Sequence, residues 1–240
     1  MRLSGLFLIV CALALAIASP TSTLAQTTDR GKLQAEIESL RNRLKASERE
    51  FLSPSAEDRA AFAQFLAAPD TGLIRLLPRP GEAEAKLSIR GDGAYYSFTR
   101  LTTEYGYGSD IELGQGSFSV GFAGADYGFL VLLGDMPLES VTLDTPPVGF
   151  LASLKSPSTI TEARAQYRQS ADGIKQDGTV YAKRVGALAG YTYALRSVNC
   201  DRSDVLVAFR VVRKDTDGSL IILWKMLKQF PAPTLVRDEK

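Results

Sequence analysis

Histidine is absent from the whole chain, and only two cysteines occur, Cys11 and Cys200. Without an imidazole, a serine or cysteine nucleophile lacks its usual general base, so triad hydrolases are excluded. Zinc sites built from histidine and cysteine are excluded too, and non-haem iron and copper sites lose their commonest ligand. No serine is followed three positions later by lysine, which removes the serine–lysine acyl enzymes. "GSFSVG" (116–121) has the wrong glycine spacing around Ser117 and Ser119 for a nucleophile elbow. No phosphate-cradling loop is present, because neither Gly-Lys-Ser/Thr nor a Gly-x-Gly-x-x-Gly between strand and helix occurs. No cofactor and no metal are expected.

Excess charge is also lacking. The formal net charge is +1, and removal of a leader carrying Arg2 would bring it to zero. Such a chain has no net electrostatic reason to seek nucleic acid or an anionic surface. Long apolar runs are scarce. "LFLIVCALALAIA" (6–18) is 13 residues long, short of the roughly 20 that a bilayer-spanning helix needs. With Arg2 before it and the small, polar "SPTSTLAQ" after it, the run reads as a secretory signal peptide. Cleavage is expected after Ala25 (Thr23-Leu24-Ala25), with Ala18 as the second site and an uncleaved anchor as the alternative. No transmembrane span would remain after cleavage. Cys11 is a poor lipid acceptor, because Val10 precedes it and the apolar run continues past it. Residues 1–25 are thus assigned to the leader and the protein to the periplasm or the outside medium. Cys200 then has no internal partner, and its alternatives are burial as a small hydrophobe or an intermolecular bridge.

The remaining sequence divides by its periodicity. Residues 26–80 read as a helical arm. Leu33, Ile37, Leu40, Leu44 and Phe51 are spaced by 4, 3, 4 and 7. Ile37, Leu44 and Phe51 take heptad position a, and Leu33, Leu40 and Ser47 take d, the pattern of a two-stranded coiled coil. In a parallel dimer Glu36 would face the partner's Arg41, and Arg43 the partner's Glu48; both pairs are opposite in sign. The alternative is an amphipathic helix lying on its own domain. A second helix is expected after Ser53 as cap and Pro54 as first residue, ending at Pro69. "LLPRPG" (76–81) marks a linker.

From residue 84 to 231 the period is two. Phe118, Val120 and Phe122 alternate with Ser117, Ser119 and Gly121. "DVLVAFRVVRK" and "SLIILWKML" are apolar on both faces and flank Asp217-Gly218, a tight-turn signal. They read as central strands, covered by a second sheet or a helix. "TITEARAQYRQSADG" offers Thr159 and Glu162 at capping-box spacing and Gly173 as a stop, so it is the candidate covering helix. The expected fold is α+β: an N-terminal helical arm, a mostly antiparallel β domain with one covering helix, and a polar tail over 232–240.

"GAYYSFTRLTTEYGYG" (93–108) holds four tyrosines. One reading is a strand, a turn and a strand, with aromatics packed as strands favour. The other puts Tyr105 and Tyr107 on an exposed loop beside Glu104 and Asp110, where rings bind sugar faces and carboxylates hold hydroxyls. Carboxylate pairs for glycoside cleavage could be drawn from Glu104, Asp110, Glu112, Asp126 and Asp135, though no spacing selects a pair. "RGD" (90–92) reads as a turn feeding a strand, and "DTDG" (215–218) as a hairpin turn rather than a calcium loop. Two function classes follow. The first is an exported non-enzymatic binding or scaffold protein, a homodimer through Leu33, Ile37, Leu40 and Leu44. The second is a carbohydrate-binding or carbohydrate-cleaving domain centred on Glu104, Tyr105, Tyr107 and Asp110.

Overall fold

A computed structural model describes residues 21–81, 86–106 and 108–236. The leader expected over 1–25 lies outside the described residues up to position 20. Helix α1 (Thr21–Phe51) starts immediately after and carries the expected cleavage point, Ala25, in its first turns. Two compact units divide the chain between Lys45 and Ala46. The first holds most of α1. On its described side chains Leu33, Ile37, Leu40 and Leu44 are all exposed. No helix among the described residues is long and apolar enough to cross a membrane.

The second unit is an α+β body in three layers. Its centre is a five-stranded antiparallel sheet of β1 (Thr71–Leu76), β5 (Tyr127–Gly134), β9 (Thr192–Asn199), β10 (Ser203–Lys214) and β11 (Leu220–Phe230), in the order β1-β11-β10-β9-β5. A smaller sheet of β2 (Tyr95–Tyr96), β3 (Ile111–Leu113), β4 (Ser117–Ser119) and β8 (Arg184–Gly186) covers one face. The other face carries a 3-10 turn (Leu138–Ser140), α4 (Pro146–Ser153), and, half-buried against it, α2 (Ala56–Ala61) with its following Phe62, α3 (Ala63–Leu66) and α5 (Ile160–Asp172). A hairpin of β6 (Ile174–Gln176) and β7 (Thr179–Tyr181) completes the body.

Burial on both faces explains the continuous apolar runs. In β10, Val205, Val207, Phe209 and Val211 point to the small sheet, and Leu206 and Ala208 to the helices. Phe209 stands opposite both Tyr193 and Trp224 and stacks on Tyr193 at 5.1 Å, while Phe118 meets Phe209 edge-on from the small sheet. Such pairs add to area burial in a way scattered leucines do not. The β10–β11 hairpin turns at Asp217-Gly218, with Gly218 at φ +84°. Asp217 accepts from the Ser219 amide and hydroxyl, so "DTDG" is a turn with its carboxylate engaged.

The expected capping box of α5 is present: Thr159 accepts from the Glu162 amide, Glu162 reaches back, and Gly173 is the C-cap. Other expectations need correction. The cap of α2 is Ser55, not Ser53, because Asp58 at the third helical position completes a capping box with Ser55. Residues 71–76, read as part of the arm, form β1, whose Ile74 and Leu76 alternate into the core opposite Ile222 and Leu220. The compact body therefore begins at Ala46 rather than near residue 84. The helical cover is more than α5 alone; α4 contributes the fully buried Val148 and Leu151. The tail is tied down to its last described residue: Pro233 accepts from the Asp201 amide, and Val236 bridges to Thr159. Residues 237–240 lie outside the described residues.

Candidate functional site

Two surfaces were singled out by residue type, and the structure treats them differently. The tyrosine segment is a packed corner of the small sheet. Tyr96 and Phe98 enter the core beside Trp224. Tyr95 lies on the opposite face and is buried there by Tyr105 and Phe122, at ring distances of 4.6 and 5.2 Å. Its hydroxyl donates to Glu112 at 2.8 Å, Ser119 donates to the other oxygen of the same carboxylate at 2.6 Å, and Arg79 donates at 3.0 Å. Glu112 is thus buried but saturated with donors, the condition under which a buried carboxylate is stable. Burial and the adjacent Glu112 push the Tyr95 phenol well above its ordinary range.

The "RGD" segment belongs to this corner. Gly91 has φ +84°, and a Cβ there would stand 2.5 Å from the Tyr95 ring and 2.7 Å from the Tyr105 Cβ. Arg90 lies over the Tyr105 ring at 5.5 Å and accepts the Tyr105 amide on its carbonyl at 2.7 Å. Asp92 is buried and accepts from the amides of Lys86 and Leu87. An adhesion tripeptide must present arginine and aspartate outward; here the aspartate faces in.

Of the four residues expected to hold a sugar, the three that are described do not share an open surface. Glu104 is exposed, Tyr105 is half-buried against Tyr95, and Tyr107 lies outside the described residues. Asp110 differs most from the expectation of a loop carboxylate. It is fully buried and accepts from the Phe98 amide and from Asn199 of β9, both at 2.8 Å, linking the two sheets. Burial raises its carboxyl pKa to about 6. The other acids are equally dispersed: Asp126 accepts from the Cys200 amide, and Asp135 is exposed. Among the described residues Asp110, Glu112 and Asp126 are each taken up by donors within the fold. Cys200 is buried, and burial pushes its thiol up to about 11, away from nucleophilic use. Among the described residues no group of acids and cysteine could hold a metal ion.

The second surface is the stripe on α1. Leu33, Ile37, Leu40 and Leu44 are 57, 49, 52 and 48% exposed, four large apolar side chains in sequence on one helical face. The helix ends firmly. Glu48 is 5% exposed and accepts from both the amide and the hydroxyl of Ser88. Arg75 donates to the Phe51 carbonyl at 2.8 Å, satisfying an open helix-end acceptor. The expected pair between Arg43 and a partner's Glu48 therefore needs an acid that is already enclosed.

Residue types alone hid several polar anchors. Arg196 and Asp204 pair inside the helix-covered face, and Arg213 grips Asp58 at the base of α2. An arginine inside the all-buried β9 and an aspartate opening β10 were the available signals. No protein-family model, no curated protein and no solved structure matches this chain.

Proposed function

We propose that this chain is an exported, non-enzymatic scaffold or binding protein that associates with a second copy of itself through α1. The observation that carries the reading is the exposed stripe of Leu33, Ile37, Leu40 and Leu44. Four contiguous large apolar side chains facing water on a 31-residue helix form an unfavourable surface unless a partner covers them. Their 4-3-4 spacing is that of a helical partner. Export rests on the leader sequence, and the non-enzymatic reading on the missing imidazole and on the engagement of Asp110, Glu112 and Asp126 within the fold. The carbohydrate reading has less support, since Asp110 is enclosed and Tyr105 packs on Tyr95.

Sedimentation velocity of the full chain and its Leu40→Glu variant tests the association. The expected result is a concentration-dependent dimer for the first and a monomer for the second, with identical β-sheet circular dichroism. A wild-type monomer at every concentration, or a dimer indifferent to Leu40→Glu, would overturn the proposal.

A further inference from the structure

We infer that the two α1 helices pair antiparallel, in a short seam centred between Glu38 and Ser39. This rests on the self-association just proposed and names the geometry of that same surface.

The seam can be built in two orientations. In the parallel one, each core residue meets its own copy. Leu33, Ile37, Leu40 and Leu44 then form four apolar layers, but Arg30 at the preceding a position meets Arg30, and Ser47 meets Ser47. Like charges at a core position disfavour that register. The flanking contacts also fall short. Glu36 would meet the partner's Arg41, but Arg43 would need the partner's Glu48. That carboxylate is 5% exposed and already holds the Ser88 amide and hydroxyl.

Reversing one helix removes both difficulties. Leu33 now packs on the partner's Leu44, Ile37 on the partner's Leu40, and the two-fold symmetry repeats both pairs, giving four apolar layers again. Both orientations are two-fold symmetric, so the side-chain pairs and not the symmetry choose between them. Arg30 faces the partner's Ser47 instead of a second arginine. Glu36 faces the partner's Arg43, twice, and both residues are exposed. Asp29 and the partner's Glu50 form one like-charge contact at each fringe, beyond the apolar layers. Four layers are about two heptads, fewer than the three or four of a self-standing coil. The dimer is accordingly reversible, and its orientation is best trapped covalently.

Two experiments on the full chain separate this inference from the reading beneath it. In a background lacking Cys11 and Cys200, Leu33→Cys and Leu44→Cys chains carry different tags. Under mild oxidation, the mixture is expected to give the mixed disulfide, and each variant alone little product. Homodimeric disulfides from each variant alone would establish the parallel seam and overturn the orientation while leaving self-association intact. No disulfide in any tube, together with a wild-type monomer by sedimentation, would remove self-association itself. No disulfide from a wild-type that does dimerise would also overturn the inference. The second experiment uses surface charges that the fold does not need. Arg43→Glu is expected to weaken the dimer about tenfold, by turning two attractive contacts into repulsive ones. Adding Glu36→Arg is expected to restore it. In the parallel seam the added Glu36→Arg would face Arg41 and weaken association further, so failure of rescue overturns the inference.

Discussion

The guanidinium of Arg196 on β9 closes on the carboxylate of Asp204 on β10 through two hydrogen bonds, 3.0 and 2.9 Å long, with neither side chain meeting solvent. The remaining donors reach the Leu151 carbonyl at 2.8 Å, the Leu154 carbonyl and the Ser156 hydroxyl, and the Phe230 ring lies 4.0 Å below. One side chain thus joins two central strands to the C-terminal end of α4, whose last carbonyls have no helical partner. Removing Arg196 as Arg196→Met leaves the buried Asp204 carboxylate without its guanidinium and held by the Ser156 hydroxyl at 2.6 Å. Denaturant titration is expected to show a loss of about 3–5 kcal/mol. A loss below about 1 kcal/mol would mean that water already reaches Asp204.

Asp110 gives a pH dependence of unusual sign. Burial raises its carboxyl to about 6, above the ordinary 3.8 of an aspartate, so the folded chain holds this proton more tightly than the unfolded one. Its contribution is therefore most favourable below the unfolded value and is lost as pH rises through about 6. Most acids act the other way on acidification, so the comparison must be differential. Wild-type minus Asp110→Asn stability is expected to fall by about 1–3 kcal/mol between pH 4 and pH 7. A flat difference would show that Asp110 ionises normally.

Gly91 is expected to be intolerant of the smallest side chain. Gly91→Ala meets both a positive φ and two aromatic residues within 2.7 Å. The variant should lose about 1–3 kcal/mol and change the near-ultraviolet circular dichroism of the tyrosines. Unchanged spectra would mean that Tyr105 and Tyr95 can separate without consequence.

The proposed export makes a plain chemical prediction. The protein recovered from the host's periplasm or medium should begin at Gln26 by intact mass. A mass beginning at Met1 would favour the uncleaved anchor, and one beginning at Ser19 the earlier cleavage site.

What the sequence disclosed was what periodicity encodes. The two-sided apolar runs of β10 and β11, the Asp217-Gly218 turn and the capping box of α5 were legible, because each is a local pattern with a local cause. β1 was not, since "TGLIRL" is too short to show a period and becomes a strand only by pairing with β11. α4 was missed for a related reason: "PPVGFLAS" opens with two prolines and has no side-chain cap, so packing of Val148 and Leu151 makes it a helix. At the tyrosine corner the residue types were correct but their company was not. The partners of Asp110 and Glu48 stand 89 and 40 positions away, beyond the reach of any spacing argument.

The pairing of β1 with β11 also bears on when this protein can fold. Thr71 and Lys225 are register partners at the edge of the central sheet, about 150 positions apart, in a chain where most other strand pairs are sequence neighbours. A chain that ends before Leu220 has no β11, and so β1 has nothing to pair with and Phe209 no Trp224 opposite. The central sheet therefore gains its β1 edge only when the C-terminal strand is present. A truncation before Leu220 would thus be felt at the other end of the body, leaving Ile74 and Leu76 of β1 without the partners that bury them.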